Sequence, residues 1–271
     1  MDESGSATDG KRGIGTMADA LWAASDRFAA MLRRVSDPTV PAIGIWNIGE
    51  TAAHASSSHG YFLAVVRGDP IEIDAIEGVA AANARVLAGD PERDPHMLAD
   101  RLVSGEAGFI SFLRSMEDDP LVEVFTSVKV PVSTAAAIEL GELLVHGADI
   151  AKAAGLPWRI PTDEAALTLD GFLPLLPAML DERTAEGLRM RCELRVRSGP
   201  RAVVAVDHGA LSVEPPSTEA VDCRISVDPA AFLLLMFRRI PPWQPVLQGK
   251  LAAWGRRPWM ALKLQSIFKK V

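Results

Sequence analysis

The sequence has few cysteines, which stabilise many secreted proteins, and lacks the long apolar runs of membrane-spanning proteins. Its 271 residues include two cysteines, Cys192 and Cys223, and a single tyrosine. Two cysteines cannot build a disulfide scaffold, and the acidic start of the chain does not resemble a secretory signal, so we expect a reduced, cytoplasmic protein. Residues 230–237, the longest apolar run, fall far short of the ~18 residues that a membrane span needs.

Basic residues are also scarce over most of the chain. Residues 1–185 carry 14 basic and 28 acidic side chains, whereas residues 186–271 carry 14 basic and 7 acidic ones, which together give the net charge of −7. This break predicts two domains of opposite charge and argues against a nucleic-acid partner for the first. The basic second part would favour anionic ligands or complement the acidic first part.

The first part of the chain has the apolar periodicity of helices. Residues 1–12, rich in glycine, serine and aspartate, predict a flexible tail, and residues 121–130 predict a strand or an extended connector. We therefore expect an all-α helical bundle over residues 13–182. Its helices are predicted over residues 16–35, 47–66, 75–87, 96–116, 134–154 and 161–180.

The pattern changes after a linker predicted at residues 181–186. Residues 192–197 alternate apolar and polar side chains, which is typical of a half-buried strand, and similar short segments cover residues 202–206, 211–213 and 222–227. Helices are predicted over residues 230–238 and 258–268. The expected architecture is a multi-domain chain in which a smaller α+β domain, residues 186–271, follows the bundle.

Two histidines and a glutamate are candidate metal ligands. Glu142 and His146 are four residues apart in an apolar helical segment, so they share a face that we expect to point inward. His54 follows a predicted capping box formed by Asn47 and Glu50. Two histidines and one carboxylate form the ligand set of many catalytic zinc sites, although a surface pair or a hydrogen bond gives the same spacing.

Other polar residues near these positions have two interpretations each. Asp149 lies on the face of Glu142, where it would either orient His146 or be a plain surface acid. Tyr61 follows His54 by seven residues, so it would line a pocket on the same helix face or pack at a helix crossing. For both cysteines, packing in the core of predicted strands is the favoured interpretation.

Two motifs resemble a known family. The segment WNIGETAAH at residues 46–54 and the segment ELLVHGADIAKA at residues 142–153 resemble the metal-binding blocks of the DinB-like, mycothiol-dependent maleylpyruvate isomerase family. The resemblance covers roughly residues 14–182. It implies a helical bundle that holds a divalent metal, usually Zn²⁺, on His54, Glu142 and His146, with no catalytic residue beyond the metal centre.

The resemblance also implies a chemistry for the metal. In this family the metal activates the thiol of mycothiol, and the thiolate adds to a conjugated double bond that is isomerised, or is transferred to an electrophile. Mycothiol belongs to actinobacteria, and the excess of arginine over lysine, 21 to 7, agrees with such a GC-rich host.

The end of the chain resembles the sterol carrier protein 2 family. The segments DPAAF at residues 228–232, QGKL at 248–251 and LKLQSIF at 262–268 carry this resemblance. It implies a small sheet covered by helices, which in lipid carriers enclose an apolar tunnel. Arg256 and Arg257 replace the usual residues before the last helix, so this basic pair would hold an anionic group of cofactor or substrate, or be solvated surface.

These features support two functions. The first is a metal- and mycothiol-dependent isomerase or thiol S-transferase that acts on a small electrophilic or carboxylate substrate, with Tyr61, Arg256 and Arg257 as candidate contacts to the cofactor. A variant of this function keeps the metal but uses another thiol or none. The second is a lipid-binding protein that acts through its sterol-carrier-like domain. In either case we expect no nucleic acid and no membrane span, and a homodimer is compatible with the apolar faces of such a bundle.

Overall fold

The computed structural model describes residues 3–70, 78–125 and 128–269, and the side chains among them except those of residues 3–12 and 265. The chain divides into two compact units, Met1–Ile160 and Pro161–Val271. Among the described residues, no helix is both long enough and apolar enough to cross a membrane.

The first unit is a helical bundle with two short hairpins. The helix α1 packs on α5 and α6, and α6 also packs on α2 and α3, so α6 lies at the centre. The bounds of its elements are α1 (Glu3–Leu32), β1 (Pro41–Ile43), β2 (Trp46–Asn47), α2 (Ile48–Ala55), α3 (Ser58–Arg67), α4 (Val79–Gly89), α5 (Pro95–Arg114), β3 (Leu121–Val124), β4 (Val128–Pro131) and α6 (Val132–Ala154).

Most of the predicted helices are confirmed, but several bounds differ. The helix predicted over residues 161–180 ends at Phe172, where Pro174 and Pro177 follow. The helix α1 begins at Glu3, although the composition of residues 1–12 predicted a flexible tail, because serine and glycine only lower helix propensity and no proline interrupts the segment. Where residues 121–130 predicted a strand or an extended connector, residues 121–124 and 128–131 form the antiparallel pair of β3 and β4. The start of the helix predicted at residues 75–87 lies outside the described residues, which resume at residue 78.

The helix predicted over residues 47–66 is two helices. It begins as predicted, because the Asn47 side chain accepts a hydrogen bond from the Glu50 backbone N–H at 2.8 Å and Glu50 Oε2 accepts one from the Asn47 N–H at 2.9 Å. It then breaks after α2, where the hydroxyls of Ser56 and Ser57 donate to the carbonyl of Ala53 at 3.1 and 3.0 Å. Serine hydroxyls that bond nearby carbonyls compete with regular helix geometry.

The helix α6 is apolar around most of its circumference, which is typical of a helix in the middle of a core. Trp158 packs against it so closely that a Cβ atom at Gly147 would lie 2.2 Å from the indole ring. The Trp158 Nε1 also donates a hydrogen bond to the Leu144 carbonyl at 3.1 Å. Glycine at residue 147 is therefore required for the close approach of the indole to the helix.

The second unit is a five-stranded sheet with helices. The strand order is β7-β6-β5-β8-β9, and β5 and β8 are parallel while the other neighbours are antiparallel. The strands predicted from alternation are all present. The bounds are α7 (Thr162–Phe172), a 3-10 turn (Leu173–Leu175), α8 (Glu182–Ala185), β5 (Arg189–Val196), β6 (Arg201–Asp207), β7 (Ala210–Glu214), β8 (Cys223–Val227), α9 (Pro229–Met236), α10 (Trp243–Leu247), β9 (Leu251–Gly255) and α11 (Met260–Ser266).

The compact units separate before α7, whereas the linker was predicted at residues 181–186. The helix α7 packs on α9, and the rings of Phe172 and Phe237 lie 6.0 Å apart. This apolar contact places α7 in the second unit, although its sequence resembles the helices of the first. The domain bounds predicted from the sequence, residues 13–182 and 186–271, stay a prediction.

Candidate metal centre

The helices α2 and α6 bring the three predicted metal ligands together. One nitrogen each of His54 and His146 and one oxygen of Glu142 all lie within 4.8 Å of one another. Glu142 Oε2 accepts hydrogen bonds from the Nε2 atoms of both histidines, each at 3.1 Å. The two imidazole rings are 5.1 Å apart and almost perpendicular. Three donor atoms from two helices therefore converge on one point.

The cluster is largely shielded from water but open on one side. His54 and His146 are 9% and 8% exposed, while 24% of the Glu142 side chain is exposed. The indole of Trp46 covers the histidines, with its ring 5.1 Å from that of His54 and 6.5 Å from that of His146. A small molecule would thus reach the cluster from the side of Glu142.

The hydrogen bonds of the cluster favour the charged forms of Glu142 and His146. Burial lowers the pKa of His146, but hydrogen bonds to Asp149 and Glu142 outweigh burial and raise that pKa to about 9. Burial raises the pKa of Glu142, yet hydrogen bonds from His146 and His54 hold it far below its usual range. Glu142 is therefore ionised, and protons on the imidazoles occupy the places where a cation would bind.

Asp149 supports His146 from behind. Its Oδ2 accepts a hydrogen bond from His146 Nδ1 at 3.1 Å, and the residue is 6% exposed. This bond turns Nε2 of His146 toward Glu142. The interpretation of Asp149 as a surface acid is wrong, and its orienting role is the one that the structure has. A carboxylate behind a histidine is the usual support of a metal-bound imidazole.

The residues present fit a divalent metal. Two imidazole nitrogens and one carboxylate oxygen are the three protein ligands of catalytic zinc sites, which keep a further position for water or substrate. The same set also accepts Fe²⁺ or Ni²⁺. The convergence of the donor atoms and the bond from Asp149 are the two observations on which this fit rests.

Tyr61, a candidate cofactor contact, is not part of this cluster. Because the helix breaks at Ser56, Tyr61 lies on α3 and does not continue the face of His54. Its hydroxyl accepts a hydrogen bond from the backbone N–H of Phe125 at 3.4 Å, and the two rings are stacked 6.3 Å apart. A contact of Tyr61 with a cofactor stays a prediction.

The other candidate contacts, Arg256 and Arg257, follow β9 in the second unit and are both exposed. Arg257 Nη1 lies 3.7 Å from Asp222 Oδ1. With Arg189 and Arg191, it lines a cavity of about 560 Å³ beside the sheet. That Arg256 and Arg257 hold an anionic group also stays a prediction.

Sequence reasoning missed a pair of buried carboxyl groups in the bundle. Glu106 on α5 and Glu139 on α6 are fully buried, and Ser58 donates a hydrogen bond to Glu139 Oε1 at 2.8 Å. Burial raises the pKa of Glu106 to about 7 and, together with the charge of Glu106, raises that of Glu139 well above its usual value. The only signal in the sequence is Glu139 itself, an acidic residue in an apolar helix three positions before Glu142. Its partner Glu106 is 33 positions away, so the sequence does not indicate the pair.

Comparison with known families agrees with both resemblances. Residues 18–151 match the family described as mycothiol maleylpyruvate isomerase N-terminal domain, and residues 178–269 match the SCP-2 sterol transfer family. A comparison with curated proteins found no match.

Three solved structures are similar to this chain at low sequence identity. A mycothiol-dependent maleylpyruvate isomerase is 14% identical, with a TM-score of 0.48 over 83% of this chain and 87% of that one. A variant of that enzyme with a histidine replaced by alanine is also 14% identical, with a TM-score of 0.50 over 82% of this chain and 87% of that one. The sec-alkylsulfatase from Pseudomonas sp. is 14% identical, with a TM-score of 0.36 over 80% of this chain, which spans 32% of that protein. Of the three, the structure with a TM-score of 0.50 shows a likeness of fold alone.

The two family matches cover, in order, the unit that holds the histidine–glutamate cluster and the unit with the five-stranded sheet. Residues 18–151 are thus similar to the mycothiol maleylpyruvate isomerase N-terminal domain, and residues 178–269 are similar to the SCP-2 sterol transfer family.

Proposed function

We propose that this protein is a metal-dependent, mycothiol-dependent enzyme, an isomerase or a thiol S-transferase, that acts on a small electrophilic substrate. The observation that carries the proposal is the convergence of His54, Glu142 and His146, with Asp149 fixing the orientation of one imidazole. We propose Zn²⁺ as the metal and mycothiol as the thiol. The domain family supports this choice, since the donor atoms alone accept several metals.

Each residue of the cluster would have a separate role. His54 and His146 would hold the metal through Nε2, and Glu142 would hold it through Oε2 and offset its charge. When bound, the metal would supply a Lewis acid that deprotonates a thiol, and the thiolate is the nucleophile. Asp149 would keep the His146 proton on Nδ1, and Trp46 would keep water from the side of the imidazoles.

The proposal includes the location of the enzyme, its class of substrate and the residues that contact its ligands. We propose a cytoplasmic enzyme with a small-molecule electrophile or carboxylate as substrate and no nucleic-acid partner. Arg256 and Arg257 are candidate contacts for an anionic ligand group in the second unit, and Tyr61 is a candidate contact in the first. A homodimer is compatible with the proposal.

A spectroscopic titration tests the thiol and the metal site without knowledge of the substrate. The full chain is loaded with Co²⁺ in place of zinc and titrated with mycothiol. We expect a thiolate-to-cobalt charge-transfer band in the near ultraviolet, because an open position on the metal would take the sulfur. The band should be lost in His54→Ala and retained in His96→Ala, a matched change of an exposed histidine at the start of α5.

The outcome decides between thiol chemistry and the alternatives. Absence of the band at excess mycothiol would contradict the proposal, as would a band that survives His54→Ala. When the band is present, assays with maleylpyruvate and with an alkyl halide electrophile distinguish an isomerase from a transferase.

A second candidate function is favoured by the match of residues 178–269 to the SCP-2 sterol transfer family. In this alternative the second unit binds a lipid or sterol and the bundle has a supporting role. A fluorescent fatty acid that binds tightly to the full chain, with equal affinity in EDTA and in His54→Ala, would support this alternative. A lipid carrier does not need the metal cluster, so the two functions are separable.

A further inference from the structure

The two cysteines of the second unit lie side by side at the centre of the sheet. Cys192 on β5 and Cys223 on β8 are direct partners in the parallel register of these strands. Both are fully buried, and their Sγ atoms are 2.6 Å apart. This separation is shorter than the contact distance of unbonded heavy atoms, about 3.5 Å, and close to the length of a disulfide bond, about 2.05 Å, so the two side chains are placed to form one.

The strand register permits the bond without a rearrangement of the backbone. Neighbouring strands lie about 4.8 Å apart, which is within the usual range of Cα separations across a disulfide, about 4.4–6.8 Å. Because side chains alternate along a strand, both cysteines point to the same face as the buried Leu194 and Ile225. Neither side chain has to change face to meet the other.

We propose that Cys192 and Cys223 form a redox-active pair, a thiol modification site in which a low-molecular-weight disulfide oxidises the two thiols to a disulfide across β5 and β8. The proposal does not depend on the metal cluster or on the reaction proposed for the first unit. It concerns residues that the sequence indicated only as core packing.

The positions of the two thiols assign the order of the reaction. Cys223 is the closer of the two to the sheet edge, because β8 is bordered by the edge strand β9, whereas β5 lies between β6 and β8. Cys223 is therefore the thiol that a small disulfide reaches first, and it attacks as the thiolate.

The route to the buried sulfur runs past the end of β9. Gly255, the residue of β9 paired with Cys223, is exposed and has a positive φ of 128°. A Cβ atom at this position would lie 2.9 Å from the Asp222 carbonyl, so only glycine fits without a shift. Opening of this strand end, the last residue of a five-residue edge strand, exposes Cys223 without unfolding the sheet.

The chemistry balances as two successive thiol–disulfide exchanges. The Cys223 thiolate attacks one sulfur of the small disulfide, forms a mixed disulfide and releases one small thiolate. Cys192 then loses its proton and attacks the Cys223 sulfur of the mixed disulfide, which releases the second small thiolate. Two protein thiols are oxidised, the small disulfide is reduced to two thiols, and the protein loses two hydrogen atoms.

The test is oxidation of the folded full chain with glutathione disulfide in the presence of EDTA. The protein is then denatured, treated with iodoacetamide and weighed intact by mass spectrometry. We expect the oxidised chain to have lost two hydrogen atoms and to take up no carbamidomethyl group, whereas the reduced chain takes up two. We also expect the thermal midpoint of the second unit to rise on oxidation by at least about 5 °C, because the bond closes a loop between distant positions.

Single variants test the order of the reaction and serve as controls. Cys192→Ser retains Cys223 and should accumulate the glutathione mixed disulfide faster than Cys223→Ser, and neither variant should lose two hydrogen atoms. Equal or reversed rates would overturn the assignment of Cys223 as the attacking thiol. The proposal itself is overturned when the folded chain keeps two alkylatable thiols at glutathione ratios that oxidise the same chain in urea.

Discussion

Replacement of Glu106 with glutamine should make the first unit more stable, and by an amount that depends on pH. Glu106 is fully buried on α5 beside Glu139, which is also fully buried. Burial raises the pKa of Glu106 from 4.5 to about 7. Glutamine has nearly the same shape and no charge, so Glu106→Gln removes the titration and keeps the packing.

The sign and size of the effect follow from proton linkage. Below about pH 4.5 the carboxyl is protonated in both the folded and the unfolded chain, so Glu106 adds no pH dependence. Between pH 4.5 and about 7 the unfolded chain ionises first, so the free energy of unfolding falls as pH rises. A difference of about 2.5 pKa units corresponds to roughly 3 kcal/mol, a cost that is complete above about pH 7.

The assay is urea denaturation of the metal-free chain, followed by the helical circular dichroism signal at several pH values. The free energy of unfolding of Glu106→Gln should exceed that of the wild type by about 3 kcal/mol at pH 8. The two values should be equal near pH 4.5. Glu123→Gln, a change of an exposed acid on β3, is the matched control and should give no such pH-dependent gain. A constant difference between Glu106→Gln and the wild type across this range would refute the reasoning.

Three further changes test the support of the cluster and its helices. Asp149→Asn should weaken zinc binding by about 10- to 100-fold in a chelator competition while the fold is kept, and unchanged affinity would exclude the orienting role. Gly147→Ala should destabilise the first unit by about 2 kcal/mol because its Cβ displaces Trp158, whereas Gly108→Ala, with open space around it, should stabilise by up to about 1 kcal/mol. Equal urea midpoints for the two glycine variants would contradict this. Asn47→Ala should cost about 1 kcal/mol in the same titration, since it removes the capping box of α2, and no loss would show that the cap is redundant.

The convergence of His54, Glu142 and His146 was predictable from the sequence in part, because two of its determinants are local. The spacing of Glu142 and His146 puts both on one face of α6, and the capping box at Asn47 fixes where the helix that carries His54 begins. The contact between the two helices depends on tertiary packing, and in the sequence only the resemblance to a family indicates it. The alternating strands of the second unit were predictable for the same local reason.

What the sequence did not show depends on contacts between distant segments. The break at Ser56, which separates Tyr61 from the His54 helix, results from hydroxyl groups that bond backbone carbonyls. The approach of Glu106 to Glu139 requires two helices to pack side by side. The inclusion of α7 in the second unit follows from packing against α9, and no composition change marks that boundary.

Metal analysis of the purified full chain tests the proposed metal centre most directly. Wild type, His146→Ala and His96→Ala are loaded with Zn²⁺, dialysed and measured by inductively coupled plasma mass spectrometry. We predict about one equivalent of zinc in the wild type and in His96→Ala, and none in His146→Ala, because two remaining ligands do not retain the metal. Wild-type protein that holds no zinc after loading, or His146→Ala that holds as much as the wild type, would contradict a metal centre at this site.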